Sequence, residues 1–479
     1  MTSANPVTPF FGREAELGRL QDLTRKKVAS IAVIKGRRRV GKSRLTDELA
    51  QRLPRYRAAH FQGLPPEKNL TAAEEREDFA QQLSVQLGIP PPRAEDWNLL
   101  FWALTERTRT GRWLIILDEI NWLGIRDTTF LGKLKNAWDL HFSRNPQFIL
   151  ILSGSVASWI EREILHNTGF TGRISVDMTL TELPLPVCNR FWGENADRVS
   201  SYEKLRLLAV TGGIPRYLEE MDPALSADAN IQRLCFTREG LLFGEFDRIF
   251  SGFFNRRNDS YRKIVAALAD GPRDLESLYE ALAVGKGGKV SEYAEDLVAS
   301  GLLARDHTWN LKTGEEGKYS RFRLSDNYTR FYLKYIAPNR RRIERGTMTN
   351  LPNIDTVLGL QFENLVLQNR LAILQRLGIA LDEVIYENPF IQRKTQRRRG
   401  CQIDYLVQTR RRTLYVCEIK FCRGAVPASV VKEIEDKVSC IVMPRNMTWR
   451  PVLIHVGELP PGIEEAGVIT VDCAQFLRS

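Results

Sequence analysis

Short runs of apolar residues, each followed by a polar turn, mark the first 190 residues of the chain. Ser30–Ile34 runs into a glycine-bearing turn and then into a helical pattern from Lys42 to Leu53. Trp113–Leu117 ends in two acids, and Phe148–Leu152 ends in Ser-Gly-Ser. Strands that are apolar at every position belong to a parallel sheet buried on both faces. We therefore predict an α/β domain over residues 1–190, with helices between parallel strands.

The hydrophobic spacing changes character after this point. Residues 191–256 follow a helical pattern, interrupted by Gly-Gly-Ile-Pro at Gly212–Pro215. Residues 257–337 predict three helices and then two strands, at Tyr261–Leu268, Leu275–Leu282, Val290–Leu297, Leu302–Leu311 and Tyr319–Leu324. That order is typical of a winged helix. The run Pro338–Arg342 is predicted to be a linker.

Residues 350–479 show a third pattern, of one long helix followed by short strands. The amphipathic helix is Gly359–Gln375, and the strands are Asp404–Val407, Leu414–Ile419, Cys440–Met443 and Pro451–Val456. A basic turn, Arg410–Arg412, lies between the first two strands and predicts a hairpin. We expect a second α/β domain here, separate from the first.

Composition and charge narrow the class of protein. The 479 residues are 43% apolar and 27% charged, which excludes a disordered or collagen-like chain. Lys and Arg number 69 against 58 Asp and Glu, and the net charge of +11 fits contact with nucleic acid or another polyanion. No run approaches the roughly 18 apolar residues that span a bilayer, and the start lacks a signal-peptide pattern. We therefore expect no membrane partner. The seven cysteines form no CxxC pair, so we expect reduced thiols and a cytoplasmic location.

The strongest motif is the segment Gly36-Arg37-Arg38-Arg39-Val40-Gly41-Lys42-Ser43, which matches G-x-x-x-x-G-K-[ST] in full. Its glycines let successive backbone N–H groups face a phosphate, and the following helix points its positive end at the same place. Lys42 is expected to reach the β- and γ-phosphates and Ser43 to ligate Mg2+. The predicted ATP-binding residues of this segment are Gly36, Arg39, Val40, Gly41, Lys42, Ser43 and Arg44.

Polar residues after two further strands complete the predicted ATP site. Asp118 is expected to hold Mg2+, and Glu119 to act as the general base on the attacking water. Ser153 and Ser155 follow the next strand and are predicted to lie beside the γ-phosphate, as a sensor. Arg173, in a Thr-Gly-Arg turn, is a candidate for stabilising charge in the transition state.

These motifs resemble a known family. Phe11–Glu14, the phosphate loop, Leu117–Glu119, Ser153–Ser155, Gly172-Arg173 and Gly212–Leu218 occur in the order seen in archaeal-type ATPases, a branch of the STAND class of AAA+-like P-loop ATPases. The resemblance covers about the first 250 residues. It implies that Gly12, Arg13 and Glu14 line the adenine side of the pocket, and that Gly212–Pro215 belongs to a helical lid over residues 191–256. It also implies slow switching and assembly into a homo-oligomer.

A second candidate site lies in the C-terminal third. Asp404 opens one predicted strand, and Glu418 and Lys420 share a face of the next. A hairpin brings the two carboxylates together, which suits Mg2+, and Lys420 beside them can position water and stabilise a phosphorane. Glu363, on the preceding helix, is a candidate outer metal ligand. The alternative is that Asp404, Glu418 and Lys420 form only an ion-paired cluster.

The pattern Glu…Asp…Glu-x-Lys resembles the PD-(D/E)xK nucleases, and in particular the restriction-endonuclease-like domain fused to archaeal-type ATPases. Gln402-Ile403 replaces the usual Pro before Asp404. The basic residues Arg393, Lys394 and Arg397–Arg399 lie just before the site and are expected to hold a nucleic-acid backbone. By contrast, Val290–Asp296 carries three acids, so we expect the winged helix to pack between domains and not to read DNA.

The sequence thus predicts an ATPase coupled to Mg2+-dependent cleavage or processing of nucleic acid. DNA is expected as the substrate in preference to RNA. The architecture suggests, by analogy alone, a role in defence against foreign DNA. One alternative is a STAND-type switch whose C-terminal domain only binds nucleic acid or protein. A second alternative is a DNA translocase. The predicted divisions are an ATPase core at 1–190, a lid at 191–256, a winged helix at 257–337 and a nuclease-like domain at 350–479.

Overall fold

The computed structural model describes residues 9–65, 70–251, 258–285, 287, 289–348, 350–394, 396 and 399–478. Within these residues the chain forms two compact units. Residues up to Thr181 form the first unit, and Glu182–Phe250 with the residues from Asn258 onward form the second. None of the described helices is long and apolar enough to cross a membrane.

The first unit alternates strands with helices. Its strands are β1 (Ser30–Gly36), β2 (Arg57–Gln62), β3 (Trp113–Asp118), β4 (Phe148–Gly154) and β5 (Ile174–Leu180). Its helices are α1 (Glu14–Gln21), α2 (Lys42–Arg52), α3 (Ala72–Leu87), α4 (Trp97–Thr108), α5 (Ile120–Gly124), α6 (Phe130–Leu140) and α7 (Ala157–Ile160). Short turns of 3-10 or π helix lie at Asp22–Arg25, Phe142–Arg144 and Glu161–Leu165.

The five strands form a parallel sheet in the order β2-β3-β4-β1-β5. Every residue of β1, β3 and β4 is buried, as the apolar runs predicted, because helices cover both faces. Aromatic side chains of α3, α4 and α6 fill one side, with Trp97 4.7 Å from Phe130 and 5.2 Å from Phe79 between ring centroids. The predicted α/β fold with a parallel sheet is confirmed.

The second unit begins with helices. They are α8 (Leu185–Asn189), α9 (Ser201–Thr211), α10 (Pro215–Leu218), α11 (Ala227–Cys235), α12 (Glu245–Ser251), α13 (Asn258–Ala267), α14 (Leu275–Ala281) and α15 (Lys289–Ala299). A 3-10 segment at Arg190–Asn195 follows α8. The antiparallel strands β6 (Leu303–Trp309) and β7 (Glu316–Leu324) come next. The order of α13, α14, α15, β6 and β7 is the one on which the winged-helix prediction rests.

The rest of the second unit is built on a mixed sheet. Its helices are α16 (Asn327–Phe331), α17 (Ala337–Glu344), α18 (Asp355–Gln368), α19 (Arg370–Arg376) and α20 (Val430–Cys440). Its strands are β8 (Val384–Gln392), β9 (Cys401–Thr409), β10 (Thr413–Ala425), β11 (Thr448–Glu458) and β12 (Ile469–Asp472). The π turn Tyr332–Ile336 and the 3-10 turns Leu381–Glu383 and Cys473–Leu477 complete it.

The strands of this sheet follow the order β12-β11-β10-β9-β8. The predicted hairpin is present, since β9 and β10 pair antiparallel, with Cys417 opposite Tyr405. Strands β10, β11 and β12 are parallel to one another. Helix α20 makes the crossover from β10 to β11 and packs on β9 and β10.

The linker prediction for Pro338–Arg342 is wrong, because these residues lie in α17. Proline occupies the first turn of that helix, where its missing N–H costs nothing. Arg340 donates to Asp247 at 3.1 Å and to Glu344 at 3.2 Å, so its charge serves an ion-pair network.

Two further element predictions need correction. The helix predicted over Gly359–Gln375 is broken at Asn369, which separates α18 from α19. The Asn369 side chain accepts a hydrogen bond from the Leu185 amide at 2.9 Å, a contact that no local pattern shows. The strand predicted at Cys440–Met443 is also absent: Cys440 ends α20, and Ile441 packs into the core beyond it.

Candidate functional site

The phosphate loop lies between β1 and α2, as its sequence predicts. Gly36 has φ 150° and Gly41 φ 92°, and a Cβ at Gly36 would collide with the Leu180 carbonyl of the neighbouring strand β5. Gly41 is the N-cap residue of α2, so the loop leads directly into the helix N-terminus. Arg39 also has a positive φ, of 73°. The side chain of Val40 is buried. The loop curls as an anion-binding turn must.

Lys42 is buried at the first position of α2. Its ammonium donates to the carbonyl oxygens of Gly36 at 2.9 Å and Arg37 at 3.0 Å. Burial lowers the pKa of Lys42, against the opposing attraction of Glu119 and Asp118. The ammonium is therefore held inside the loop, where a bound phosphate would replace the carbonyl oxygens as its partner.

Asp118, at the end of β3, is the centre of a hydrogen-bonded group that includes the first turn of α2 and the end of β4. It accepts from Ser43 Oγ at 2.6 Å and from Ser153 Oγ. The ends of β3, β4 and β1 are adjacent, which is why the phosphate loop, Asp118 and Ser153 meet. Burial opposes ionisation of Asp118, but the nearby His60 imidazole and hydrogen bonds from Ser153 and Ser43 hold its pKa well below the usual range. The close Ser43 and Asp118 oxygens fit a Mg2+ site.

Glu119 follows Asp118 in a left-handed conformation, with φ 48°, that is rare for a residue with a side chain. Its carboxylate accepts from the backbone N–H of Ser155 at 3.0 Å and from Ser155 Oγ at 2.7 Å. The structure therefore brings Ser153 and Ser155 to the two acids. Ser153 contacts Asp118 and Ser155 contacts Glu119, so both serines position the acids that the sequence singled out.

His60 was missed at the sequence level, although it borders this site. It lies on β2 with Nε2 3.6 Å from Asp118 Oδ2 and Nδ1 3.7 Å from Asp47 Oδ1. These two carboxylates raise the pKa of His60 to about 9, so the imidazole is charged at neutral pH. Only the pairing of β2 with β3 brings it to Asp118; no motif contains it.

Gly12 and Arg13 come just before α1, and Glu14 is its first residue. Arg13 has φ 67°, and its guanidinium donates to the Val40 carbonyl at 3.3 Å, to Thr181 and to Glu16. Arg13 thus ties the segment before α1 to the phosphate loop. Glu14 is exposed at the start of α1, Gly12 is buried, and Arg44 lies in the first turn of α2. Adenine contact by Gly12, Arg13 and Glu14 stays a prediction.

Arg173 is held by a carboxylate in the first unit. Its Nε and Nη2 atoms donate to the two oxygens of Asp139, on α6, at 2.7 and 2.9 Å. Asp139 also pairs with Lys135 at 2.9 Å. A role for Arg173 in ATP hydrolysis stays a prediction.

The C-terminal candidate residues converge on the mixed sheet. Asp404 on β9 and Glu418 on β10 are next to the paired residues Tyr405 and Cys417. Asp404 Oδ2 accepts from the Ile419 amide at 3.0 Å, and its side chain is only 12% exposed. Burial and the Glu418 carboxylate raise the pKa of Asp404. The hairpin therefore places the two acids together, as predicted.

Three charged side chains surround these carboxylates. Lys420 donates to Glu418 Oε1 at 3.0 Å and to Glu433 Oε2 at 2.8 Å. Lys437 donates to Asp404 Oδ1 at 3.4 Å and to Glu418 Oε2. Glu433 and Lys437 lie one turn apart on α20, a helix that the sequence analysis did not identify. Apolar positions at Val430 and Ile434, four apart, were the signal that could have found it.

Glu363 lies on α18, near the carboxylates. Burial, and then the charge of Asp404, raises the pKa of Glu363 to about 7. Among the described residues, no group of three or more His, Cys, Asp or Glu side chains is arranged to hold a metal ion. The carboxylates that lie together are those of Asp404 and Glu418, and one oxygen of each contacts the Lys437 ammonium. Glu363 as an outer ligand stays a prediction.

The basic segment before the site is only partly described. Arg393 stacks on the Tyr319 ring at 3.8 Å and pairs with Asp274 at 2.9 Å, while Lys394 and Arg399 are exposed. The predicted phosphate contacts at 397 and 398 lie outside the described residues. In α15, Asp296 is buried and accepts from Tyr261 at 2.6 Å, and Glu295 pairs with Arg305.

Comparison with known proteins finds a family match in the N-terminal part of the chain. Residues 10–221 match the model of a family described as an ATPase domain predominantly from Archaea. An uncharacterized protein of Methanocaldococcus jannaschii is 24% identical over 342 residues, 70% of this chain and 71% of that protein.

Solved structures resemble the chain more loosely. A Walker-type ATPase of Pyrococcus abyssi has 19% identity and a TM-score of 0.49, covering 68% of this chain and 96% of its own. The ORC2 protein of Aeropyrum pernix, solved as ADPNP–ADP complexes, has 14% identity and a TM-score of 0.42, covering 73% and 98%. Likeness at these scores carries no conclusion about this chain. The family match, however, covers the phosphate loop and both acids that the sheet brings to it, and this part of the chain is a P-loop ATPase domain.

Proposed function

We propose that this protein uses ATP to control Mg2+-dependent cleavage of nucleic acid, with DNA as the first candidate substrate. The observation that carries the proposal is the convergence of Asp404 and Glu418 on a mixed sheet, with Lys420 and Lys437 in contact with them. Paired carboxylates with a lysine at the same site suit phosphodiester hydrolysis. The ATPase domain supplies the control.

At the ATP site the chain's own groups have distinct tasks. Lys42, already inside the loop, would bind phosphate oxygens, and the N–H groups around Gly41 would orient them. Ser43 and Asp118 would hold Mg2+, which neutralises phosphate charge when bound. Glu119, fixed by Ser155, would hold the attacking water and accept its proton.

At the C-terminal site, Asp404 and Glu418 would hold the divalent cation, which activates water and offsets phosphate charge when bound. Lys420 would bind the scissile phosphate and stabilise the charge that develops on it. The exposed side chains of Lys394 and Arg399 supply attraction for the backbone that does not depend on sequence. The winged-helix and nuclease-like assignments, an oligomeric assembly and a defence role are parts of the same proposal.

A second candidate function is an ATP-driven switch whose C-terminal domain binds without cutting. One observation favours it: all four oxygens of Asp404 and Glu418 already accept from protein donors, namely Ile419, Lys420 and Lys437. A cluster neutralised in this way is what an ion-paired structural site would show. A translocase, the third candidate, differs in requiring rapid ATP turnover stimulated by DNA.

The deciding experiment measures cleavage of plasmid, single-stranded DNA and RNA with Mg2+, with and without ATP. Wild type is compared with Asp404→Ala and Lys42→Ala. The matched controls are Asp436→Ala, an exposed acid of α20, and Lys26→Ala, an exposed lysine of the first unit. We expect ATP-dependent cutting to fall at least about a hundredfold in both test variants and to persist in both controls.

Equal cutting by wild type and Asp404→Ala would contradict the nuclease proposal and favour the ATP-driven switch. ATP turnover is measured on the same samples. Slow turnover agrees with a controlling ATPase, whereas fast turnover stimulated by DNA but unaffected by Asp404→Ala would indicate the translocase.

A further inference from the structure

Lys437 occupies a place in the C-terminal site that no motif assigns to it. Helix α20 packs on β9 and β10 and directs Glu433 and Lys437 toward the carboxylates. Residues four apart share a helix face, so both side chains reach the same cluster. The position of Lys437 is thus set by the packing of a helix that follows the Glu418-x-Lys420 strand.

The two lysines of the cluster are held differently. Lys420 bridges Glu418 and Glu433, so one of its partners lies outside the Asp404–Glu418 pair. Lys437 bridges Asp404 and Glu418 themselves, one oxygen from each. Both contacts are ion pairs, so the Lys437 ammonium lies as a positive charge between the two acids.

That location is the one a divalent cation would need. A cation held by Asp404 and Glu418 would draw on their carboxylate oxygens, and the Lys437 ammonium already contacts one oxygen of each. Two like charges cannot share the space, since their repulsion inside a protein is several times that in water. The lysine and the metal are competitors for the same oxygens.

We infer that Lys437 is the internal counter-ion of the site, which a divalent cation must displace from Asp404 and Glu418, and that it thereby sets the metal affinity of the site. The inference rests on the proposed function for the metal's role but makes a separate claim about binding. Without metal, the single positive charge of Lys437 lies between two acids and offsets their mutual repulsion. With metal, its ammonium has to swing away from them.

The test is a calorimetric titration of the nucleotide-free, full-length protein with Mn2+. Lys437→Gln removes the charge and keeps the chain polar, and we expect it to bind Mn2+ about tenfold or more tightly than wild type. Lys432→Gln, an exposed lysine of the same helix, is the matched control and is expected to match wild type. Lys437→Arg keeps the charge and should keep the weaker affinity.

The double variant Lys437→Gln with Asp404→Asn locates the effect, because it should lose the gain if the cation binds between the carboxylates. If Lys437→Gln does not fold, Lys437→Met, which keeps the alkyl length, is expected to give the same gain. An affinity that is unchanged or weaker in the folded, charge-removing variants overturns the inference. So does a gain that survives Asp404→Asn.

These outcomes are separable from those of the cleavage assay. A gain in Mn2+ affinity without cutting by any variant supports the role of Lys437 and removes the nuclease proposal. If wild type cuts nucleic acid but Lys437→Gln does not bind Mn2+ more tightly, the nuclease proposal is supported and the role of Lys437 is removed.

Discussion

Individual charged side chains in this protein are placed by partners from distant parts of the chain. Asp118 is surrounded by Ser43, Ser153 and His60, which come from helix α2 and strands β4 and β2. Hydrogen bonds to a carboxylate stabilise its charged form, which is the form that can bind Mg2+. The chemistry of a single residue is thus decided by strand order.

His60 gives the site a dependence on pH that can be measured. Its pKa is raised from 6.5 to about 9 by Asp118 and Asp47. A raised pKa means that the folded state holds the proton more tightly, so the contribution to stability is complete below pH 6.5 and is lost as pH rises through about 9. Because the side chain is 31% exposed, we expect a loss of only about 2 kcal/mol.

The measurement is the unfolding temperature of wild type and His60→Gln between about pH 6 and pH 9.5. The unfolding temperature of wild type should fall as pH rises, and it should fall less steeply in His60→Gln. His166→Gln, which changes an exposed histidine of the same unit, should keep the wild-type slope. Parallel slopes in all three proteins would show that His60 carries no such charge.

At the scale of elements, packing across the second unit decides where helices and strands end. The Asn369 side chain bonds to the Leu185 amide and interrupts what would otherwise be one helix. The β6–β7 pair packs against the mixed sheet: Trp309 donates to Gln408 at 2.6 Å and stacks on Tyr386 with centroids 4.6 Å apart. The end of β6 is therefore buried and does not present Trp309 to a nucleic acid.

Trp309 is expected to hold the β6–β7 pair to this sheet. It is 4% exposed and also contacts Phe390 edge-on at 5.1 Å. We expect Trp309→Ala to lower the free energy of unfolding by about 3–4 kcal/mol, as removal of a large buried aromatic does. Trp309→Phe keeps an aromatic ring but leaves the Gln408 oxygen without its donor, which should cost about 1–2 kcal/mol.

Urea unfolding followed by circular dichroism gives these values without relying on tryptophan fluorescence. Trp449→Ala, at a position 37% exposed on β11, is the control and should cost less than about 1 kcal/mol. Equal effects at 309 and 449 would contradict the assigned role of Trp309.

At the scale of the whole molecule, charge and division into units matter most. The net charge of +11 favours polyanions, but many of the described basic residues are already paired with acids, as Arg173 and Arg340 are. The exposed cations before β9, Lys394 and Arg399, are better placed to contact a phosphate backbone than the paired Arg393. Long-range attraction then depends on salt.

We expect DNA binding to weaken steeply with salt and to show little sequence preference. Combining Lys394→Ala with Arg399→Ala should lower the slope of log K against log salt by about two, roughly one per phosphate contact. Fluorescence anisotropy at several salt concentrations measures that slope. Arg25→Ala, an 84% exposed arginine of the first unit, should leave it unchanged, and an equal change in both variants would refute a local contact.

The sequence by itself determined the local features. The buried strands β1, β3 and β4, the phosphate loop, the two acids at the end of β3 and the β9–β10 hairpin were all predictable. Each depends on a short pattern: a continuous apolar run, glycines at fixed spacing, or polar residues at a strand end. Such patterns report conformations that a few neighbouring residues impose.

Only the tertiary structure decided which distant groups meet. It brought His60 to Asp118, Asp139 to Arg173, and Lys437 to the Asp404–Glu418 pair. It also turned Pro338–Arg342 into a helix and ended α18 at Asn369. The physical reason is the same in each case. A charge or a polar group is stabilised by whatever partner packing places within a few ångströms, and sequence spacing carries no record of that partner.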